Sequence, residues 1–209
     1  MRRAIHDNIN TEKYWDEFHG SDKSAEGLDW LKNSIIANHI VDGSRVLELG
    51  CGVGWLLSRI ATQNSHCELV GVEFTESAIK RLSEDRRIKV IKADLTKDFS
   101  VGQEESFDYV ICSEVLEHLE NPTKLVEKIS KFLAKGGVAI ITTPYGDHIP
   151  SPEHIWEFSV EDVEKMMEGN FSQYYVYLWA SGLGVHEVTT GKTIYPPGHL
   201  DVIWAIGFK

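Results

Sequence analysis

Two stretches of this chain carry residues whose types and spacing could do chemistry. Glu114, Glu117 and His118 stand at i, i+3 and i+4, so on a helix all three would share one face. Two carboxylates and an imidazole together could hold a divalent cation such as Mg2+ or Mn2+. His118 alone could instead accept a proton, and a second histidine, His154, could join it as a catalytic group. The plainer alternatives are that Glu117 and His118 cap a helix beginning near Asn121, and that His154 is a structural residue beside Trp156. The second stretch is Val46-Leu47-Glu48-Leu49-Gly50-Cys51-Gly52-Val53-Gly54, followed by an acid at Glu73. It reads as a strand, a glycine turn, a helix and a second strand ending in a carboxylate. Glycines let a ligand lie against bare backbone, and the helix N-terminus that follows favours an anionic group. A carboxylate at the end of the second strand can accept both hydroxyls of a ribose.

These groups need a scaffold, and the apolar pattern supplies one. Short, nearly continuous apolar runs predict strands at 44–49, 68–73, 88–93, 107–112 and 137–143. Helical spacing predicts helices at 11–18, 26–40, 53–62, 76–84, 122–134 and 159–168. The alternation implies a doubly wound α/β sheet with right-handed crossovers. The end departs from it, with two aromatic-rich strands at about 171–180 and 201–208 joined by a long connection over 181–200. On the first of these, Tyr175, Tyr177 and Trp179 share one face and are read as packing. The chain of 209 residues fits one domain over 1–209: a helical cap (1–42), a cofactor-binding core (43–145) and acceptor-side loops with C-terminal strands (146–209). A net charge of −11 argues against a broad nucleic-acid surface. No apolar run is long enough to span a membrane. Met1-Arg2-Arg3 is not followed by a signal core, and Cys51, Cys67 and Cys112 lack metal or redox spacing. A reduced, cytoplasmic protein is the expectation.

The glycine spacing separates two cofactors. A dinucleotide fingerprint is G-x-G-x-x-G, whereas here Gly50, Gly52 and Gly54 are followed by Trp55. Four further motifs come in order: Gly71-Val72-Glu73, Lys92-Ala93-Asp94-Leu95, the run from Phe107 to His118, and Leu133-Ala134-Lys135-Gly136-Gly137. Together they resemble the class I S-adenosylmethionine-dependent methyltransferases, from about residue 11 to the C-terminus. Around Glu114–His118 the chain is similar to quinone-biosynthesis O-methyltransferases. The resemblance implies a Rossmann-like, mostly parallel seven-stranded sheet with an antiparallel C-terminal strand and S-adenosyl-L-methionine as cofactor. It implies that Gly50, Cys51 and Gly52 lie under the methionine part and that Glu48 orients its ammonium group. Glu73, with Phe74 next to it, would hold the ribose. Asp94 would accept from the adenine amino group beside Leu95, and the chain at Ser113 would close over the methionine end.

The function expected is transfer of a methyl group to an oxygen of a small-molecule acceptor, with the acidic balance counting against nucleic acid. The small-RNA 3′-end 2′-O-methyltransferases also carry a Glu-x-x-Glu-His group with a later histidine, and a metal-assisted reaction of that kind is the alternative. A non-catalytic S-adenosylmethionine-binding protein is a third reading. The acceptor pocket is expected from the N-terminal helices, the 144–156 loop and the 181–200 connection. Tyr14, Trp15, His19, Tyr145, His148, Trp156, His186, Tyr195 and His199 are its candidate walls.

Overall fold

Strands and helices alternate from residue 45 to residue 144, except over 93–106, where one strand follows another with no helix between. The computed structural model describes residues 1–4, 7–21, 30–146, 151–180, 184–187 and 202–209. Along the chain come β1 (Arg2–Arg3), α1 (Glu12–His19), α2 (Trp30–His39), β2 (Arg45–Leu49), α3 (Trp55–Gln63), β3 (Glu68–Glu73), α4 (Glu76–Leu82) and β4 (Ile88–Lys92). Then follow β5 (Phe107–Ser113), a 3-10 turn (Leu116–His118), α5 (Pro122–Phe132), β6 (Leu133–Pro144), β7 (Trp156–Glu157) and α6 (Val160–Met167). The chain closes with β8 (Gln173–Ala180), β9 (Gly184–Glu187) and β10 (Val202–Phe208).

The main sheet has the order β4-β3-β2-β5-β6-β10-β8-β9. β4 to β6 pair in parallel, and β10 runs antiparallel to both β6 and β8. This is the expected seven-stranded sheet, extended at its edge by the short β9. Side chains alternate across it. Leu47, Leu49 and Val110 enter the core against α5 and α6, while Val46 and Ile111 enter the core against α2 and α3. Tyr177 and Trp179 pack on the second core, as expected, and Tyr175 at the same face is exposed.

Helix ends follow local chemistry. Thr11 caps α1 by accepting from the Tyr14 N–H, and Ser159 and Asp162 form a reciprocal capping box on α6. α5 ends at Phe132, not 134, because Leu133 pairs with Phe107 and begins a strand longer than the sequence suggested. A small antiparallel pair, β1 with β7, ties the N-terminus to the loop after β6. Most of the 181–200 connection lies outside the described residues, as do His148, Tyr195 and His199; of His186 only its place in β9 is described. No helix among the described residues is long and apolar enough to cross a membrane.

The strand order reverses at β2, so the carboxyl ends of β2 and β5 flank the crevice where an open α/β sheet binds ligands. The turn leaving β2 depends on three left-handed glycines, Gly50, Gly52 and Gly54. At Gly54 (φ +81°) a Cβ would lie 2.0 Å from Leu82 Cδ1. Gly54→Ala should therefore lose about 2–4 kcal/mol through left-handed strain and overpacking. Urea unfolding should show a lower midpoint with an unchanged slope.

Candidate active site

A cleft of about 670 Å3 opens at this reversal point. Its floor is the β2 turn. The Gly50 and Cys51 N–H groups donate to the Val72 carbonyl at 2.9 and 3.1 Å, which ties this turn to β3. A Cβ on Gly50 would approach Val115 Cγ2 to 2.6 Å, and one on Gly52 would lie 3.2 Å from His19 Cε1. Side chains thus close on the bare backbone from two sides.

At one end of the cleft stand Glu73, Phe74, Asp94 and Leu95. Glu73 is buried and anchored. Its Oε1 accepts from the Phe74 and Thr75 N–H groups and the Thr75 hydroxyl, while Oε2 accepts from the Gly52 N–H at 3.1 Å. With that single contact, Oε2 has capacity left to accept from a ligand hydroxyl. Burial works against the Asp94 charge, but the Thr96 and Lys97 contacts outweigh it and hold the carboxyl below its ordinary range. A carboxylate beside half-buried Phe74 and Leu95 suits a flat heterocycle with an amino group, so these residues fit a nucleoside. Of the nine residues expected at a cofactor, Gly50, Gly52, Glu73, Phe74, Asp94 and Leu95 line the cleft. Glu48 and Cys51 are buried behind the lining, and the Ser113 hydroxyl pairs with that of Thr142.

At the other end α1 forms a roof. Trp15 lies edge-to-face against His118 at 4.8 Å between centroids and stacks on His19. α1 is fastened across the cleft to α4 and β4 by polar contacts: the Ser77 N–H and hydroxyl donate to Asp16, and Glu12 pairs with Lys92. Burial holds His19 below the ordinary histidine range, with Glu73 and Asp16 pulling the other way.

The Glu-x-x-Glu-His group does not share a helix face. Only Leu116–His118 is helical, and Glu114 adopts φ +54°. This left-handed residue turns the Glu114 carboxylate toward Lys32 Nζ, at 3.1 Å, and the Thr142 hydroxyl, at 2.7 Å. The buried Lys32 was not foreseen, since only the fold brings α2 to the end of β5. The three groups whose donor atoms do converge, within 4.8 Å of one another, are Glu117, His118 and His154. His154 therefore stands where Glu114 was expected.

Glu117 is 1% exposed, and its Oε2 accepts from the Thr143 hydroxyl. Its Oε1 has no hydrogen-bond partner among the described residues and lies 3.7 Å from His118 Nε2. Burial, then the Glu114 charge, push the Glu117 carboxyl well above its usual range. Burial drives His118 down to about 4, only partly offset by the Glu153 carbonyl. His118 is thus a neutral imidazole at neutral pH. Because the folded state resists its protonation while the unfolded state does not, His118 costs stability as pH falls from about 6.5 toward 4. Between pH 7 and pH 5 the wild type should lose about 2 kcal/mol more than His118→Gln in urea unfolding.

A family model described as a methyltransferase domain matches residues 40–193, well over half of the chain. A ubiquinone biosynthesis O-methyltransferase of Xylella fastidiosa (strain M23) is 30% identical over 141 residues, 64% of this chain and 55% of that protein. The chain thus spans little more than half the length of this curated relative. Among solved structures, the plantazolicin methyltransferase BpumL, in complex with a triazolic desmethylPZN analog and SAH, superposes with a TM-score of 0.71 at 14% identity, covering 96% of this chain and 92% of that one. Haemonchus contortus phosphoethanolamine N-methyltransferase 2, in complex with S-adenosyl-L-methionine, gives 0.67 at 15% identity, covering 95% and 57%. At such identities the superpositions speak for the fold. The family model carries the assignment: the chain belongs to the methyltransferase-domain family.

Proposed function

We propose that this chain methylates an oxygen of a small-molecule acceptor bound in the cleft that Trp15 and His118 line together. The observation that carries this reading is a neutral imidazole lining the same cleft as the bare glycine turn. The cofactor supplies an electrophilic methyl group on its sulfonium. What the protein must add is alignment and, for a hydroxyl acceptor, a place for the proton. Gly50 and Gly52 would lie beneath the methionine portion. Glu73 Oε2 would take a ribose hydroxyl, and Asp94 the adenine amino group. His118 would receive the acceptor's proton, and Trp15, packed edge-to-face on it, would hold the imidazole in place and exclude water. The names of the curated relatives, ubiquinone biosynthesis O-methyltransferases, support an oxygen as the target atom.

Calorimetric titration with S-adenosylhomocysteine tests the cofactor half. Asp94→Ala should weaken binding roughly 10–100-fold, the worth of a charge-assisted hydrogen bond; unchanged affinity would remove Asp94 from the site. The acceptor half is tested by turnover on a panel of phenols and catechols. His118→Gln should lower kcat on any accepted hydroxyl while leaving S-adenosylhomocysteine affinity intact.

One observation favours a metal-assisted version. The orphaned, buried Oε1 of Glu117, beside two imidazoles, is the kind of donor that a cation would satisfy. Glu117, His118 and His154 would hold it, and the ion would polarise acceptor oxygens. Titration of Mn2+ into the protein saturated with S-adenosylhomocysteine should then show saturable uptake, abolished in His154→Ala and retained in Glu114→Gln. Absence of uptake in the wild type would leave His118 as the proton acceptor without a metal.

A further inference from the structure

Asn10 stands just before the residue that caps α1. Thr11 does the capping, so the Asn10 side chain is not needed to start the helix. Its amide is used across the cleft instead. Oδ1 accepts from the Trp15 indole N–H at 3.1 Å, and Nδ2 donates to the Glu153 carbonyl at 2.8 Å and to Asn8 Oδ1 at 3.1 Å. An indole N–H can only donate and a carbonyl can only accept, so these two partners fix which end of the amide faces which. The same Glu153 carbonyl meets His118 Nδ1 at 3.1 Å. Since that oxygen can only accept, Nδ1 must carry the ring proton. In a neutral imidazole the lone pair then lies on Nε2, the nitrogen nearest Glu117 Oε1.

We propose that Asn10 is a positioning residue that fixes both the Trp15 wall and the tautomer of His118, the latter through the Glu153 carbonyl. Only a side chain presenting one acceptor and one donor at amide spacing can do both. Aspartate would set an oxygen against the carbonyl oxygen, and alanine would leave both partners unheld. The Glu153 side chain reinforces the link, because its Oε2 accepts from the Tyr14 hydroxyl at 3.2 Å, on the same helix as Trp15. The roof and the imidazole therefore share one anchor. The catalytic meaning of this anchor rests on the reading of His118 as the acceptor-side group; the tautomer assignment does not.

The test is a long-range 1H–15N correlation spectrum of protein labelled at the histidine rings, at pH 7 in EDTA, with His118→Gln identifying the signal. Wild-type His118 should show a protonated Nδ1 and an unprotonated Nε2. Asn10→Asp and Asn10→Ala should average or reverse that pattern, and Asn8→Ala, which removes the Asn8 contact of Asn10 but leaves those to Trp15 and Glu153 in place, should not. A wild-type His118 protonated on Nε2 overturns the proposal even if both Asn10 variants prove unstable. So does an unchanged His118 pattern in folded Asn10→Asp and Asn10→Ala. Full methyl transfer by His118→Gln would instead overturn the catalytic reading and leave the tautomer result standing.

Discussion

One buried carboxylate organises the floor of this site. Glu73 accepts hydrogen bonds from the turn after β2, through the Gly52 N–H, and from the turn after β3, through Phe74 and Thr75. Two successive strand-to-helix turns are thereby held to one another at a fixed separation. A buried charge is tolerated only where donors surround it, and here the backbone supplies most of them. The left-handed glycines follow from the same arrangement. The chain must turn sharply enough to aim the Gly52 N–H at the carboxylate, and φ values of +70° and +51° at Gly50 and Gly52 accomplish this without a Cβ penalty.

Much of this fold was legible in the sequence, because strands covered on both faces betray themselves as apolar runs and glycines punctuate them. β2, β3 and β5 fall within about a residue of their expected bounds. That Glu73, Asp94 and Leu95 would line one cleft was legible for a related reason, since they sit at or just beyond strand ends and inherit their position from the sheet. Other features were not legible. The bend at Glu114 is a single left-handed residue with no glycine to announce it. Helical spacing therefore gave the wrong partner set, and His154 takes the place given to Glu114. The contacts of Asn10 with Glu153 join residues from opposite ends of the chain, and no local pattern encodes such a meeting.

The two ends of the cleft differ in how they treat charge. Beside Leu95, the Thr96 and Lys97 contacts outweigh burial and hold the Asp94 carboxyl below its ordinary range. At the other end burial wins, so the His118 imidazole is pushed down and the Glu117 carboxyl up. Glu114, which also lines this part of the cleft, is paired with the buried Lys32.

The roof has a further consequence. α1 contributes no fully buried side chain, and it meets the rest of the molecule through ring edges, a cap and a few polar contacts. Elements with so little core are the first to part from a structure, at a cost well below that of global unfolding. An opening of the cleft at this roof would need only those few contacts to part, with the sheet and both cores left in place.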